Sequence, residues 1–249
     1  MGDLSRVLPV TLRFEGGWAD NAHDPGGATM KGVTQRVYDA WRRSHSKAQI
    51  SVRFISDAEL LAIYHGEYWV PVRVDDLPAG VDLAVFDYAV NSGVSRAKKA
   101  LNAAVNLLPI PAIKSICATR MSFLHHLSAW QFFGKGWGPR VNTVLATGIK
   151  WASSSPAEAK KELQATAAEH TSKAVTKANA VVATSLPAVV APAAAIHPSA
   201  ATHAALGFGG EIALIALGVA ALGATIWLFI RSRQHADTAS FLSNAAKEI

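Results

Sequence analysis

Glu15 stands where an apolar-patterned segment runs into Gly16-Gly17, and Asp20, Asp24 and Thr29 follow in a stretch rich in Gly, Asp and Asn, WADNAHDPGGATMKG. Two carboxyl groups offered from a helix end and a polar loop suit hydrolysis of a glycosidic bond. One protonates the leaving oxygen and the other activates water or attacks the sugar. Phe14 and Trp18 beside Glu15 would desolvate it and keep it protonated, whereas Asp24 in a wetter, glycine-rich loop would stay ionised. On these residues alone the same pattern also fits a helix end followed by a solvated turn. Trp18 is the aromatic side chain placed to stack on a sugar, and Asn91, before Ser92-Gly93, reads as a helix C-terminal signal or a substrate contact.

These residues need elements to position them. Leu4, Val7, Leu8 and Leu12 line one face of a helix that ends near Phe14-Glu15. Residues 18–32 read as irregular turns or a short hairpin, Thr34 caps a second helix, VTQRVYDAWRRS, and Ser56-Asp57-Ala58-Glu59 is a capping box for a third. His65 and Glu67 are too few for a zinc site, His125-His126 on an apolar helix read as core plus surface, and no metal is expected.

The string Glu15-Gly16-Gly17-Trp18, with Asp24-Pro25-Gly26-Gly27-Ala28-Thr29-Met30-Lys31-Gly32-Val33-Thr34, resembles the signature of glycoside hydrolase family 108, lysozyme-like N-acetylmuramidases that include phage endolysins. Segments Ile63-Tyr64 to Tyr68-Trp69, Leu83 to Gly93 and Gly134 to Val141 are similar to the peptidoglycan-binding half that accompanies this family. The resemblance covers roughly residues 5 to 145. It implies a lysozyme-like fold, peptidoglycan as substrate, no cofactor, and Glu15 as the catalytic acid. By the same similarity Asp24 is the water-positioning base and Thr29 a hydrogen-bonder to water or substrate.

Of 249 residues, 50% are hydrophobic and 17% charged, which excludes a wholly disordered chain. The single cysteine, Cys117, excludes an internal disulfide framework. The net charge of +6 comes without an Arg-rich helix or zinc-finger pattern, so nucleic acid is not an expected partner; a cationic hydrolase suits an anionic wall polymer. The expected fold is all-α with a small irregular hairpin. Residues 1–151 form the lysozyme-like domain, with a catalytic-motif half to about residue 80 and a binding-like half over 81–151. An Ala/Pro-rich linker follows over 152–207, helical at first and extended after its prolines, then a transmembrane helix over 208–231 and a short tail over 232–249. The run Ile212–Ile230 holds nineteen residues without a charge, about 28 Å of helix and close to a bilayer's hydrocarbon thickness. Arg231 and Arg233 put the C-terminus inside, yet the N-terminus carries no signal peptide. The side of the bilayer on which the large domain sits is therefore left open, with a holin or translocation partner expected to bring it to the cell wall. Two rival readings stand beside the enzyme: a non-catalytic, membrane-anchored peptidoglycan-binding module, and a holin-like lysis or secretion accessory.

Overall fold

The computed structural model describes residues 2–20, 27–189 and 200–249, with side chains over 2–20, 27–181 and 223–249. It divides into two compact units, Met1–Ala159 and Lys160–Ile249.

The first unit is built around one helix. Over Val81–Ser92 (α4), Val81 to Ala89 are buried without interruption. A helix buried all round has no solvent face and must be surrounded, and its two aspartates must be paired. Around it pack α1 (Leu4–Leu12), α5 (Val94–Ala103), α6 (Pro109–His125) and α7 (Trp130–Ala152). The catalytic-motif half and the half beyond residue 80 thus share one core.

Helix α1 starts at Asp3, whose Oδ1 accepts the backbone N–H of Ser5 at 3.0 Å. Arg6 on α1 donates to Asp82 Oδ2 at 2.8 Å, and its guanidinium lies 4.5 Å from the ring centre of Trp151 on α7. Asp82 is fully buried and its other oxygen accepts the N–H groups of Gly80 and Leu83, each at 2.7 Å. One arginine therefore ties α1 to α4 by an ion pair and to α7 by its contact with an aromatic ring. The helix ends at Leu12, earlier than the sequence pattern suggests. Short bonds from Phe14 N to Thr11 O and from Glu15 N to Leu12 O then carry the chain on to Glu15.

The stretch expected as a hairpin is a three-stranded antiparallel sheet of β1 (Trp18–Ala19), β2 (Thr29–Met30) and β3 (Val33–Thr34). Trp18 pairs with Met30 and Ala19 with Thr29. Lys31 (φ +47°) and Gly32 (φ +79°) join β2 to β3, the two-residue hairpin connection with both φ positive whose twist suits paired strands. Thr34 caps α2 (Gln35–Ser44), and the Ser56 capping box opens α3 (Asp57–Tyr64), as expected. Residues His65–Trp69 continue α3 as a widened π-helical turn.

In the second unit the helix expected at the start of the linker is present and runs on past Pro187, and the segment expected as a tail is helical too. Pro156–Val189 is a single helix (α8) and Ala200–Lys247 another (α9). Within this unit the two run antiparallel: His170 Nδ1 lies 3.0 Å from His235 Nδ1, Ser232 Oγ donates to the Ala174 carbonyl at 3.2 Å, and Lys177 Nζ sits 5.6 Å from the Trp227 ring centre. The segment expected as a tail buries Ala239, Leu242, Ala245 and Ala246. Their helical spacing gives it an apolar stripe, which is why it is ordered. Among the described residues no helix is long and apolar enough to cross a membrane. The span expected over 208–231 falls mostly on side chains outside the described residues.

Candidate active site

Glu15 is held from two sides. On one, its Oε1 lies 2.7 Å from Arg140 Nη2, with the Glu15 side chain 18% exposed and that of Arg140 6%. On the other, the Lys31-Gly32 turn closes over it. A Cβ at Gly32 would come within 2.9 Å of Glu15 Oε2 and 2.5 Å of the Tyr64 hydroxyl oxygen. Gly32 is required twice: for its positive φ and for the room its missing side chain leaves over the carboxyl. Tyr64 pins the same turn by donating to the Lys31 carbonyl at 2.9 Å, and Gly17 O accepts from Lys31 N at 3.3 Å. Burial first, and then the charge of Glu15, push the Tyr64 and Tyr68 phenols above their ordinary range. Both stay protonated at neutral pH, neutral phenols beside the Glu15 carboxyl.

Arg140 is itself anchored. Asp87, on buried α4, accepts from Arg140 Nε at 3.0 Å and Nη2 at 2.9 Å, and from Arg120 Nη1 at 2.6 Å. Burial alone would raise the Asp87 carboxyl, but Arg120 and Arg140 outweigh it and hold the group below the usual carboxylate range. The Arg140 guanidinium also lies 5.3 Å from the Phe14 ring centre. Burial would lower Arg140, but the charges of Asp87 and Glu15 outweigh it, and Arg140 stays cationic. The neighbour of the Glu15 carboxyl is thus a shared arginine, not the apolar pocket that Phe14 and Trp18 suggest in the sequence. Arg140 thus keeps the buried Asp87 carboxylate as a counter-ion besides Glu15.

The remaining expected site residues lie as follows. Asp24 falls within 21–26, outside the described residues. Thr29 is in β2, and its hydroxyl donates to the Gly27 carbonyl at 3.3 Å. The described tie from the sheet to the acid runs through Lys31 and Gly32. Trp18 is 38% exposed in β1, with the Arg53 guanidinium 5.6 Å from its ring centre. Asn91 is half-buried one turn after Asp87 on the same face of α4, and its Oδ1 accepts the Ser92 hydroxyl at 3.0 Å. Gly32, Tyr64, Asp87 and Arg140 stand inside segments that carry the resemblance but have no part beside Glu15 in the sequence reading, and Arg120 lies outside those segments. Asp87 had one usable signal, as the lone charge in the apolar run LAVFDYAV.

The glycosyl hydrolase 108 family model matches residues 8–93, from mid-α1 to the end of α4. Among solved structures, Brucella abortus SagA is similar at 31% identity with a TM-score of 0.52, over 61% of this chain and 97% of that one. No curated protein matches.

Proposed function

The chain belongs to the glycosyl hydrolase 108 family, and from that premise we propose that it is an N-acetylmuramidase that cleaves the β-1,4 bond between N-acetylmuramic acid and N-acetylglucosamine in peptidoglycan. The observation that carries this reading is the Glu15 carboxyl, with Oε1 against Arg140 and Oε2 over the glycine turn. Arg140 fixes one oxygen, and Oε2 delivers the proton to the glycosidic oxygen as the bond breaks. Asp24 acts as the base that positions water, Thr29 hydrogen-bonds water or sugar, and Trp18 and Asn91 contact substrate. These four roles rest on the family resemblance and on residue type. Arg140 and Asp87 are positioning residues that act through Glu15.

We place the protein at the bacterial inner membrane through the uncharged run Ile212–Ile230, acting on the cell wall. The chain before and after this run lies side by side, His170 with His235 and Ala174 with Ser232. This supports both flanks standing on one side of the bilayer, in place of a single crossing. A holin or translocation partner remains part of the proposal as the route to the wall.

The test is the rate at which the full chain releases reducing ends from purified sacculi. Glu15→Gln is expected to lower it by about 10²–10⁴-fold, the usual contribution of a general acid. An unchanged rate refutes the assignment. Wall binding without cleavage by the wild type would favour the anchored binding module.

A further inference from the structure

Arg140 is the inner end of a row of aromatic side chains. Phe133 and Trp137 precede it by seven and three residues on α7, which at 3.6 residues per turn puts all three within about 60° around the helix. Trp130 lies on the same side. The rings pack on one another: Phe133 and Trp137 have centroids 5.5 Å apart at 30°, and Trp130 and Trp137 are 6.3 Å apart. Phe133 is 57% exposed and Trp137 half-buried. Rising 1.5 Å per residue, the row extends about 10 Å from Arg140.

The sequence between the rings is built to keep them in place and open. A Cβ at Gly134 would come within 2.5–2.9 Å of three Trp130 ring atoms, so only glycine lets that indole lie across the helix. At Gly136 nothing stands within 4 Å of where a Cβ would be. His125 supports the Trp130 ring edge-on, with centroids 3.8 Å apart. Rings that pack into one exposed apolar patch, unlike a single exposed side chain, mark a binding surface. The occupant is indicated by continuity: the row leads, on one helix face, to the guanidinium that touches the catalytic acid.

We propose that Phe133 and Trp137 form a stacking platform for an N-acetylated pyranose of the glycan chain, outside the pair of sugars whose bond is broken. The proposal rests on the hydrolase reading above. Pyranose rings present flat C–H faces that suit an aromatic face, and binding energy gained there holds a long chain in register for cleavage at Glu15. Phe132 is the built-in control. It is 73% exposed beside Phe133 but points about 100° away around the helix.

The experiment measures kcat and KM of the full-length protein on long glycan strands freed of stem peptides and on short muropeptide oligomers. Phe133→Ala is expected to raise KM on long strands about tenfold, the upper range for one lost ring face, with kcat within about twofold. Trp137→Ala should act in the same direction, and Phe132→Ala should match wild type. If Phe133→Ala and Phe132→Ala are indistinguishable on long strands, the platform is refuted. Phe133 is exposed, so this arm does not depend on the half-buried Trp137 variant folding. Binding of long strands to a Glu15→Gln chain, followed by tryptophan fluorescence, separates the two hypotheses. Weaker binding in Phe133→Ala supports the platform even if the wild type cleaves nothing, in which case only the hydrolase reading falls. Unchanged glycan binding, with both phenylalanine variants losing affinity for anionic phospholipid vesicles, would make the surface a membrane contact and overturn the proposal.

Discussion

Replacing Asp87 by Asn removes one charge from the centre of the core at almost constant volume, and its consequences follow from the contacts. Asp87 is fully buried and is the carboxylate facing both Arg120 and Arg140. Arg120 is 1% exposed, and its Nε and Nη2 atoms have no hydrogen-bond partner among the described residues. The variant therefore leaves a buried guanidinium with an amide in place of its counter-ion. Breaking a buried ion pair by removing one partner costs about 3–5 kcal/mol. For a unit of this size each kcal/mol shifts Tm by about 2–4 °C, so a fall of about 10 °C is expected by calorimetry or thermal circular dichroism. Activity should change in a way simple destabilisation does not predict. With Asp87 neutral, Arg140 has only Glu15 to pair with and favours its carboxylate. The alkaline limb of the rate–pH profile should then move to lower pH while KM for sacculi changes little, measured well below the variant's Tm. A variant that melts with the wild type and keeps its profile would refute the reasoning that the Asp87–Arg140 pair controls the acid.

Other expectations follow from the same geometry. Gly32→Ala places a methyl against Glu15 Oε2 and the Tyr64 hydroxyl in a backbone conformation with φ +79°; hydrolysis should fall at least tenfold while Tm drops by only a few degrees, and a fully active variant would remove the turn from the site. Asp87 is held below its unfolded value near 3.9, so its contribution to stability is complete above about pH 4 and is lost as pH falls through the folded value. The wild-type Tm should drop steeply in that acid window, and Asp87→Asn should show a shallower drop. In the second unit His235 is pushed down to about 4, by burial first and then by His170 and neighbouring cations. Its unfolded value is near 6.5, so α8 and α9 should lose stability as pH falls from about 6.5 to 4. Hydrogen exchange over residues 160–181 and 223–249 reads this, and pH-independent protection would contradict it. For membrane topology, Ser46→Cys and Ser243→Cys, each labelled in intact and permeabilised cells with an impermeant maleimide, should react from the same side; Cys117 is buried and gives no background.

Local chemistry was legible and distant chemistry was not. Thr34 and the Ser56 box announce helix starts because a cap and its helix are neighbours in sequence. Glu15 stands out for the same reason, at a helix end before two glycines. Its partners do not, since Arg140 meets Asp87 across 53 residues of chain and nothing local specifies that pairing. The lone charge in the apolar run LAVFDYAV hinted that Asp87 is buried and paired, without saying with what. The turn-rich composition announced a hairpin, but its third strand and its register were not legible because the strands are two residues long, too short for an alternating pattern. The final segment read as a tail because its apolar positions are mostly alanines. These bury well in a close helix pair but give little hydrophobic signal.

In the proposed reaction Glu15 delivers the proton that breaks the muramic acid bond. Mass spectrometry of the products of purified peptidoglycan tests it most directly, with full-length wild type beside Glu15→Gln. New reducing-end N-acetylmuramic acid is expected from the wild type and none above background from the variant. Products ending in reducing N-acetylglucosamine, or the same products from both proteins, would contradict it.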